Sequence, residues 1–255
     1  MAAGRTRLAA RGIAGELEAR ADAGDSRAAC RLAVELLRCA QIEDFLSTAT
    51  AEDGTGVFEQ SSERDSRLDD ADRWAHEQVW HIRTREQCRQ LPQALHARSW
   101  DMLRGAALAS EPEAMLRYAQ GTALQTSRGF QLGHPGLDDW RREAQPMMER
   151  AFRAGHREAA MLLWAGHVFD NEPYAGLITN DRERALALHI LSSLQRGVGM
   201  PPLERFNAAQ IATAMRQAEA WHKTYFGGRT VAKPRDMGMI SPLAQHDPGA
   251  AAHCE

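Results

Sequence analysis

The stretch Arg150–Leu163, which reads RAFRAGHREAAMLL, decides the fold. We interpret it as the end of one helix, a turn at Gly155 and the start of a second helix, because glycine reaches the positive φ that reverses the chain. Similar stretches occur at 21–32 (ADAGDSRAACRL) and at 106–116 (AALASEPEAML). Alanines where two helices cross allow them to approach at the short end of the usual range, about 8–10 Å. The recurring helix-turn-helix pattern predicts an all-α chain.

The spacing of the three stretches is typical of a helical array. Equivalent alanines stand at Ala28, Ala114 and Ala159, which are 86 and 45 residues apart. The shorter gap fits one repeat, and the longer gap fits two repeats or one repeat with an insertion. Repeats of this size bury a continuous core by stacking on their neighbours.

Helical periodicity and turn residues predict the remaining elements, and strand alternation is not convincing anywhere in the sequence. The predicted helices cover 1–23, 26 to about 39, 68–90, 93–109, 112–124, a helix from Asp138 that Pro146 splits or kinks, 157–169, 182–195 and 203–225. We therefore expect one helical-repeat domain over residues 1–226. Residues 227–255 are expected to form an irregular or disordered tail, because prolines and small residues replace the periodic pattern there.

An acidic insertion interrupts this domain at about residues 42–67. Between Glu43 and Asp72 the sequence carries ten acidic and two basic side chains. Long connections without secondary structure are either functional or disordered. We expect a flexible insertion, and the alternative is an acidic docking segment.

The repeated units resemble Sel1-like repeats, which are relatives of the tetratricopeptide repeats. The matching positions are Gly24-Asp25, Ala28, Leu32-Ala33 and Leu36; Pro112-Glu113-Ala114 and Tyr118-Ala119; Ala144, Ala151, Gly155-His156, Ala159 and Leu163; and the helix opening at 181–186. The sequence departs from the family pattern at Ser110, which replaces the turn glycine, and at Trp164, where the family prefers glycine or alanine. The resemblance implies a right-handed α-solenoid of antiparallel helix pairs, whose concave face binds another protein. It implies no catalysis and no cofactor.

With this phasing, the helices at about 26–39, 112–124 and 157–169 are expected to face the partner. The candidate rim residues of such a groove are Arg31, Glu35, Arg117 and His167. Trp164 is a candidate exposed anchor, because tryptophan is enriched in binding hot spots. The alternative for Trp164 is packing between repeats.

Composition and motifs argue against several other classes of protein. The formal net charge of −3 does not favour nucleic-acid binding, and no apolar run approaches the length of a membrane span. His76 and His81 lie five residues apart, whereas a zinc-protease helix needs histidines four apart on one face. Nucleophile-elbow, P-loop and dinucleotide-binding patterns are missing from the sequence. We expect a non-enzymatic adaptor that binds a protein or peptide, without metal or cofactor.

Two other functions remain open from the sequence. One is an enzyme whose site is assembled from scattered His, Glu and Arg residues. The other is an inhibitor or immunity-type protein that acts through the acidic 42–72 face.

The four cysteines leave the compartment open. Cys30 and Cys39 would lie about 13 Å apart along one helix, too far to bond to each other, but either of them could reach Cys88. Buried thiols would suit a reducing cytoplasm, whereas a disulfide of Cys88 with Cys30 or Cys39 would suit an exported protein. We expect a cytoplasmic protein as the sequence is written, and a periplasmic one if the N-terminus is truncated or processed.

Overall fold

The computed structural model describes residues 2–51, 81–126, 129–169, 175–197, 199, 203–230 and 254. Most of the predicted acidic insertion, the beginning of the helix predicted from Leu68, and the predicted tail except for its first residues and Cys254 lie outside these ranges.

Helices dominate the described part of the chain, so the all-α prediction is confirmed at this level. They are α1 (Ala2–Asp22), α2 (Ser26–Ala51), α3 (residues 81–88), α4 (Gln93–Ala97), α5 (Ser99–Leu108), α6 (Pro112–Ala119), α7 (Leu137–Arg153), α8 (Arg157–Val168), α9 (Arg182–Arg196) and α10 (Ala208–Phe226). Two 3₁₀ turns cover Thr122–Leu124 and Ala175–Leu177. Two short strands, β1 (Gln125–Thr126) and β2 (Gly129–Phe130), pair antiparallel.

The turns at Gly24, Ser110 and Gly155 share one backbone geometry. All three residues adopt positive φ, at 91°, 69° and 88° respectively. In each turn this residue donates its amide to the carbonyl three residues back, and the next residue donates to the carbonyl five residues before it, at 2.9–3.1 Å. This is the Schellman pattern that ends helices. Ser110 takes the left-handed conformation that glycine takes in the other two turns.

The helices pack mainly on their neighbours along the chain. Helix α1 lies against α2, α2 lies against α5, and each helix from α5 to α9 lies against the helix that follows it. Ala28, Ala114 and Ala159, in the first turn of α2, α6 and α8, are at most 2% exposed. The alanine positions that the sequence singled out therefore lie inside the core.

Several predicted boundaries were wrong. Helix α2 continues to Ala51 instead of ending near Cys39, because residues 40–51 contain no proline or glycine to stop it. The β1–β2 hairpin was missed, because two-residue strands show no alternation. The predicted helix 93–109 consists of two helices that meet at Arg98.

Helix α10 starts later than predicted. The sequence suggested a start after Pro201-Pro202, but the first helical residue is Ala208. Asn207 accepts a hydrogen bond from the Gln210 amide at 2.9 Å, and the Gln210 side chain accepts one from the Asn207 amide at 3.1 Å. This capping box satisfies two amide donors at the helix start and fixes the boundary.

Two disulfides tie α2 to distant parts of the chain. Cys39 bonds to Cys88, with Cα atoms 5.5 Å apart, and Cys30 bonds to Cys254, with Cα atoms 6.0 Å apart. The first bond is one of the two pairings considered from the sequence, whereas the partner of Cys30 was not foreseen. Glu43 reinforces the α2–α3 contact by accepting hydrogen bonds from Arg85 at 2.6 Å and Arg89 at 3.2 Å. The Arg85 hydrogen bond is the main cause that lowers the pKa of Glu43 to about 2.

Candidate functional site: a groove along helix α7

Two adjoining concavities run along α7, and we call them together the α7 groove. The first has a volume of about 550 Å³ and is lined by Leu108 at the end of α5 and by α7 residues between Arg142 and Arg153. The second has a volume of about 320 Å³ and lies between α7, the start of α9 and α10. Glu149 and Arg153 line both concavities, so the two form one surface feature.

The sequence of α7 separates a core face from a groove face. The buried residues recur at helical spacing and pack against α6, α8 and α10; they are Leu137, Trp140, Ala144, Met147, Met148, Ala151 and Phe152. The groove face carries Arg142, Pro146, Glu149 and Arg153, which are three or four residues apart. The same helix therefore builds the core with one side and lines the groove with the other.

Pro146 lies within α7, in the groove. The sequence predicted that this proline would split or kink the helix, and it does not split it, because a single helix continues from Leu137 to Arg153. Proline has no amide hydrogen, so it cannot donate to the Arg142 carbonyl, four residues before it. The groove face of α7 thus carries a backbone carbonyl that lacks its normal helical donor.

Contacts between α5, α6 and α7 fix one side of the groove. Arg104 donates two hydrogen bonds to Glu143, at 2.9 and 2.6 Å, and the Tyr118 hydroxyl donates a third at 2.7 Å. The Arg104 hydrogen bond is the main cause that lowers the pKa of Glu143. Burial, followed by the hydrogen bond to Glu143, raises the pKa of Tyr118. Arg150 also donates to the Ala107 carbonyl at 3.2 Å, which links α7 to the end of α5.

Helices α9 and α10 form the opposite side. Arg184 in α9 donates to Glu149 at 2.5 Å, and its own amide donates to Asp181 at 2.9 Å, which caps α9. Phe152 packs edge-on against Trp221 and Tyr225 of α10, with ring centroids 5.3 and 5.4 Å apart. Glu183 also lines this side, where it accepts a hydrogen bond from Gln210.

Two positive charges in the groove are not balanced by these pairs. Glu143 is paired with Arg104, Glu149 with Arg184, and Arg142 with Asp139. Arg150 contacts a neutral carbonyl, and Arg153 has no ion-pair partner within the described ranges. Both lie beside the exposed apolar side chain of Leu108 and the ring of Pro146. The first concavity therefore joins an apolar surface to an excess of positive charge, whereas Asp181 and Glu183 add negative charge to the second concavity.

The five predicted binding residues lie elsewhere, and none of them lines either concavity. Arg31 and Glu35 are half-buried on α2, where Glu35 pairs with Arg38 at 2.5 Å. Trp164 is half-buried against Phe169 and His189, with ring centroids 5.6 and 4.9 Å apart.

Arg117 and His167 were predicted at an exposed rim, but they are only 8% and 7% exposed. The Arg117 guanidinium donates to Glu113 at 2.7 Å, within the same helix. The His167 ring accepts the Asp181 amide at 3.4 Å, and burial, followed by the charge of Arg184, lowers its pKa. Neither side chain has the exposure that a rim residue needs.

Arg117 belongs to a buried cluster that joins two of the Schellman turns. Glu113, 2% exposed, contacts Arg117 at 2.7 Å and the His156 ring at 2.9 Å. Burial alone would raise the pKa of Glu113, but the hydrogen bonds from His156 and Arg117 outweigh it, so the pKa is lowered. Because Glu113 follows the Ser110 turn and His156 follows the Gly155 turn, the cluster ties one helix pair to the next.

Sequence reasoning missed the groove residues. A polar stripe interrupted by Pro146 is visible in α7, and it was interpreted only as a possible break in the helix. Which side of α7 stays open depends on where α5, α9 and α10 pack, and local periodicity does not specify that.

Other kinds of site find no support in the described part of the chain. Its His, Cys, Asp and Glu side chains form no group of three or more that could hold a metal ion. None of the helices in the described ranges combines the length and apolar character needed to cross a membrane. Comparisons with protein-family models, with curated proteins and with solved structures give no significant match to this chain.

Proposed function

We propose that this chain is a non-enzymatic binding module that holds a segment of another protein, or a peptide, in the α7 groove. The observation that carries this proposal is the groove itself, where exposed apolar surface from Leu108 and Pro146 adjoins Arg150 and Arg153. Grooves between helices bind peptides through apolar anchors and a polar rim.

The proposal includes a right-handed α-solenoid of Sel1-like helix pairs as the framework. Two observations support this framework, and both concern segments that follow one another along the chain. The turns at Gly24, Ser110 and Gly155 share one hydrogen-bond pattern, and the helices pack on their successors along the chain. In such an array, the first helices of successive pairs line one face. The groove lies along α5 and α7, the helices that precede two of these turns, rather than along the helices at 26–39, 112–124 and 157–169 that the sequence favoured.

The carboxylates of the first concavity argue for binding rather than catalysis. A general base needs a titratable group that is free to take a proton. Glu143 and Glu149 are instead held by Arg104 and Arg184, and the hydrogen bond from Arg104 lowers the pKa of Glu143. The other alternative, an acidic docking face at 42–72, falls mostly outside the described residues.

We also infer that the protein works in an oxidising compartment. All four cysteines are paired in disulfides, and structural disulfides persist mainly in secreted and periplasmic proteins. This inference favours the exported alternative for localisation.

A peptide selection on an immobilised sample tests the binding function. Random peptides are displayed and selected on the wild-type protein, and the affinities of the recovered peptides are then measured on Leu108→Asp and on the control Leu132→Asp. Both leucines are exposed, at 51% and 71%, but only Leu108 lines the groove. We expect Leu108→Asp to weaken binding at least about tenfold, which is a typical loss of 1.4 kcal/mol at an apolar anchor, and Leu132→Asp to leave it unchanged. Failure to recover peptides, or equal losses in both variants, would contradict the proposal.

A further inference from the structure

The charge pattern of the α7 groove identifies the chemistry of its partner. We propose that the groove takes a peptide segment in which an apolar side chain is followed or preceded, two or three residues away, by an acidic side chain. This rests on the proposed binding function, and it adds the partner's sequence pattern to it.

The apolar half of this pattern follows from the first concavity. Leu108 is 51% exposed, although it ends a helix whose other large apolar side chains are mostly buried. Pro146 faces the same concavity, and Met147 lies beneath it, 2% exposed. One leucine- or phenylalanine-sized side chain would cover this surface, and burying apolar area is the main favourable contribution to such contacts.

The acidic half follows from Arg150 and Arg153. In the first concavity, the carboxylates of Glu143 and Glu149 are already paired with arginines on α5 and α9, so they do not neutralise these two guanidinium groups. Asp181 and Glu183 line only the second concavity, which Arg153 also borders. A carboxylate from a partner would accept charge-assisted hydrogen bonds from them, which are about twice as strong as neutral ones. A basic side chain at the same place would meet like charge and be disfavoured.

Helix geometry sets the spacing between the two halves. Arg150 and Arg153 lie four and seven residues after Pro146, which is about 6 and 10 Å along the α7 axis at roughly 1.5 Å per residue. An extended peptide advances about 3.3 Å per residue. A carboxylate that reaches these arginines therefore stands about two or three residues from the apolar anchor.

Two matched display libraries test the inference. Both fix a leucine and randomise the other positions, but one carries glutamate two or three residues from the leucine, on either side, and the other carries lysine. We expect the wild-type protein to select peptides from the glutamate library only. We expect Arg150→Glu/Arg153→Glu to reverse the preference towards the lysine library, with at least about a tenfold change in affinity for each peptide.

Control variants distinguish three causes of an altered preference: loss of folding, reversal of charge, and the position of the arginine that is changed. Arg157→Glu, an exposed arginine outside the groove, should keep the glutamate preference. The single variant Arg153→Glu changes only an exposed side chain, so it replaces the double variant if that one does not fold. It should at least weaken the preference for the glutamate library. Gain of binding to lysine peptides cannot come from misfolding. Binding of the glutamate peptides should also weaken as salt rises.

The outcomes distinguish the two proposals. If wild-type protein selects equally from both libraries, and the selected peptides still lose affinity in Leu108→Asp, the inferred acidic pattern is wrong while the groove function stands. If the selected peptides lose no affinity in Leu108→Asp, the groove function itself is wrong.

Discussion

The buried ion pair between Glu113 and Arg117 gives the sharpest prediction about stability. Replacing Glu113 by methionine removes the acceptor of two hydrogen bonds and leaves the Arg117 side chain, 10% exposed, without its counter-charge. Removing one partner of a buried pair costs about 3–5 kcal/mol. This is a large fraction of the roughly 5–15 kcal/mol that stabilise a typical domain. We expect Glu113→Met to lower the free energy of unfolding by this amount.

A double-mutant cycle separates the cost of leaving the Arg117 charge unpaired from the cost of losing the contact between Glu113 and Arg117. Replacing both members of a buried pair by apolar residues of similar size is often neutral or stabilising. We therefore expect Glu113→Met/Arg117→Met to recover most of the stability that Glu113→Met loses. The free energies of unfolding are measured by urea titration with circular dichroism, with the slope of each titration compared to check that the folded states are equivalent.

An exposed pair on α7 provides the control. Asp138 and Arg141 are 83% and 54% exposed, and the loss of such a pair typically costs under about 1 kcal/mol. The reasoning would be refuted if Glu113→Met also lost less than about 1 kcal/mol of unfolding free energy. It would also be refuted if the double variant lost as much as the two single variants added together.

The same carboxylate makes stability depend on pH. The pKa of Glu113 is lowered from its ordinary value of 4.5, so its contribution is fully present above the unfolded-state pKa and is lost as the pH falls through the folded-state value. We expect wild-type protein to lose more stability than Glu113→Gln between neutral pH and pH values below about 4. Parallel pH profiles for the two proteins would contradict this.

The remaining predictions concern turns, disulfides and caps. Gly24→Ala should lower the free energy of unfolding by about 1–2 kcal/mol, because alanine is strained at the positive φ of this position. Gly155→Ala should lower it by about 1–3 kcal/mol more than Gly24→Ala does, as measured by urea titration. The new Cβ at position 155 would lie 2.5 Å from the Tyr225 carbonyl oxygen, whereas a Cβ at Gly24 would meet open space. Denatured protein that has not been reduced should show no reactive thiol with a colorimetric reagent, and four after reduction. Cys30→Ser/Cys254→Ser should lower the free energy of unfolding by about 2–5 kcal/mol. Asn207→Ala should cost about 0.5–2 kcal/mol in thermal or urea unfolding, because the α10 capping box is lost.

Local signals in the sequence identified much of the helical framework. Gly24 and Gly155 indicated turns because positive φ has a strong residue preference. The helix predicted at 182–195 agrees within one residue with α9, which lies between the Asp181 cap and Gly197. Ser110 was recognised as standing at the same position as the turn glycines, and it adopts their conformation. Such features depend on a few neighbouring residues, so they can be read before the fold is known.

Features that depend on distant parts of the chain were not predictable in this way. Cys254 lies 224 residues from Cys30, and nothing near either residue indicates the pairing. Arg117 reads as a surface residue, and its burial depends on the packing of other helices against α6, which also brings His156 onto Glu113. The α7 groove likewise depends on the packing of α5 and α10 beside α7, so the sequence favoured the second helices of the pairs instead.

Photo-crosslinking of a selected peptide to the intact protein tests the groove proposal most directly. The peptide carries a photoreactive residue next to its apolar anchor, and the attachment sites are mapped by mass spectrometry. The proposal predicts attachment at Leu108 and within 142–153. Attachment concentrated on α2, on α6 or on α8, with 142–153 unmodified, would contradict it.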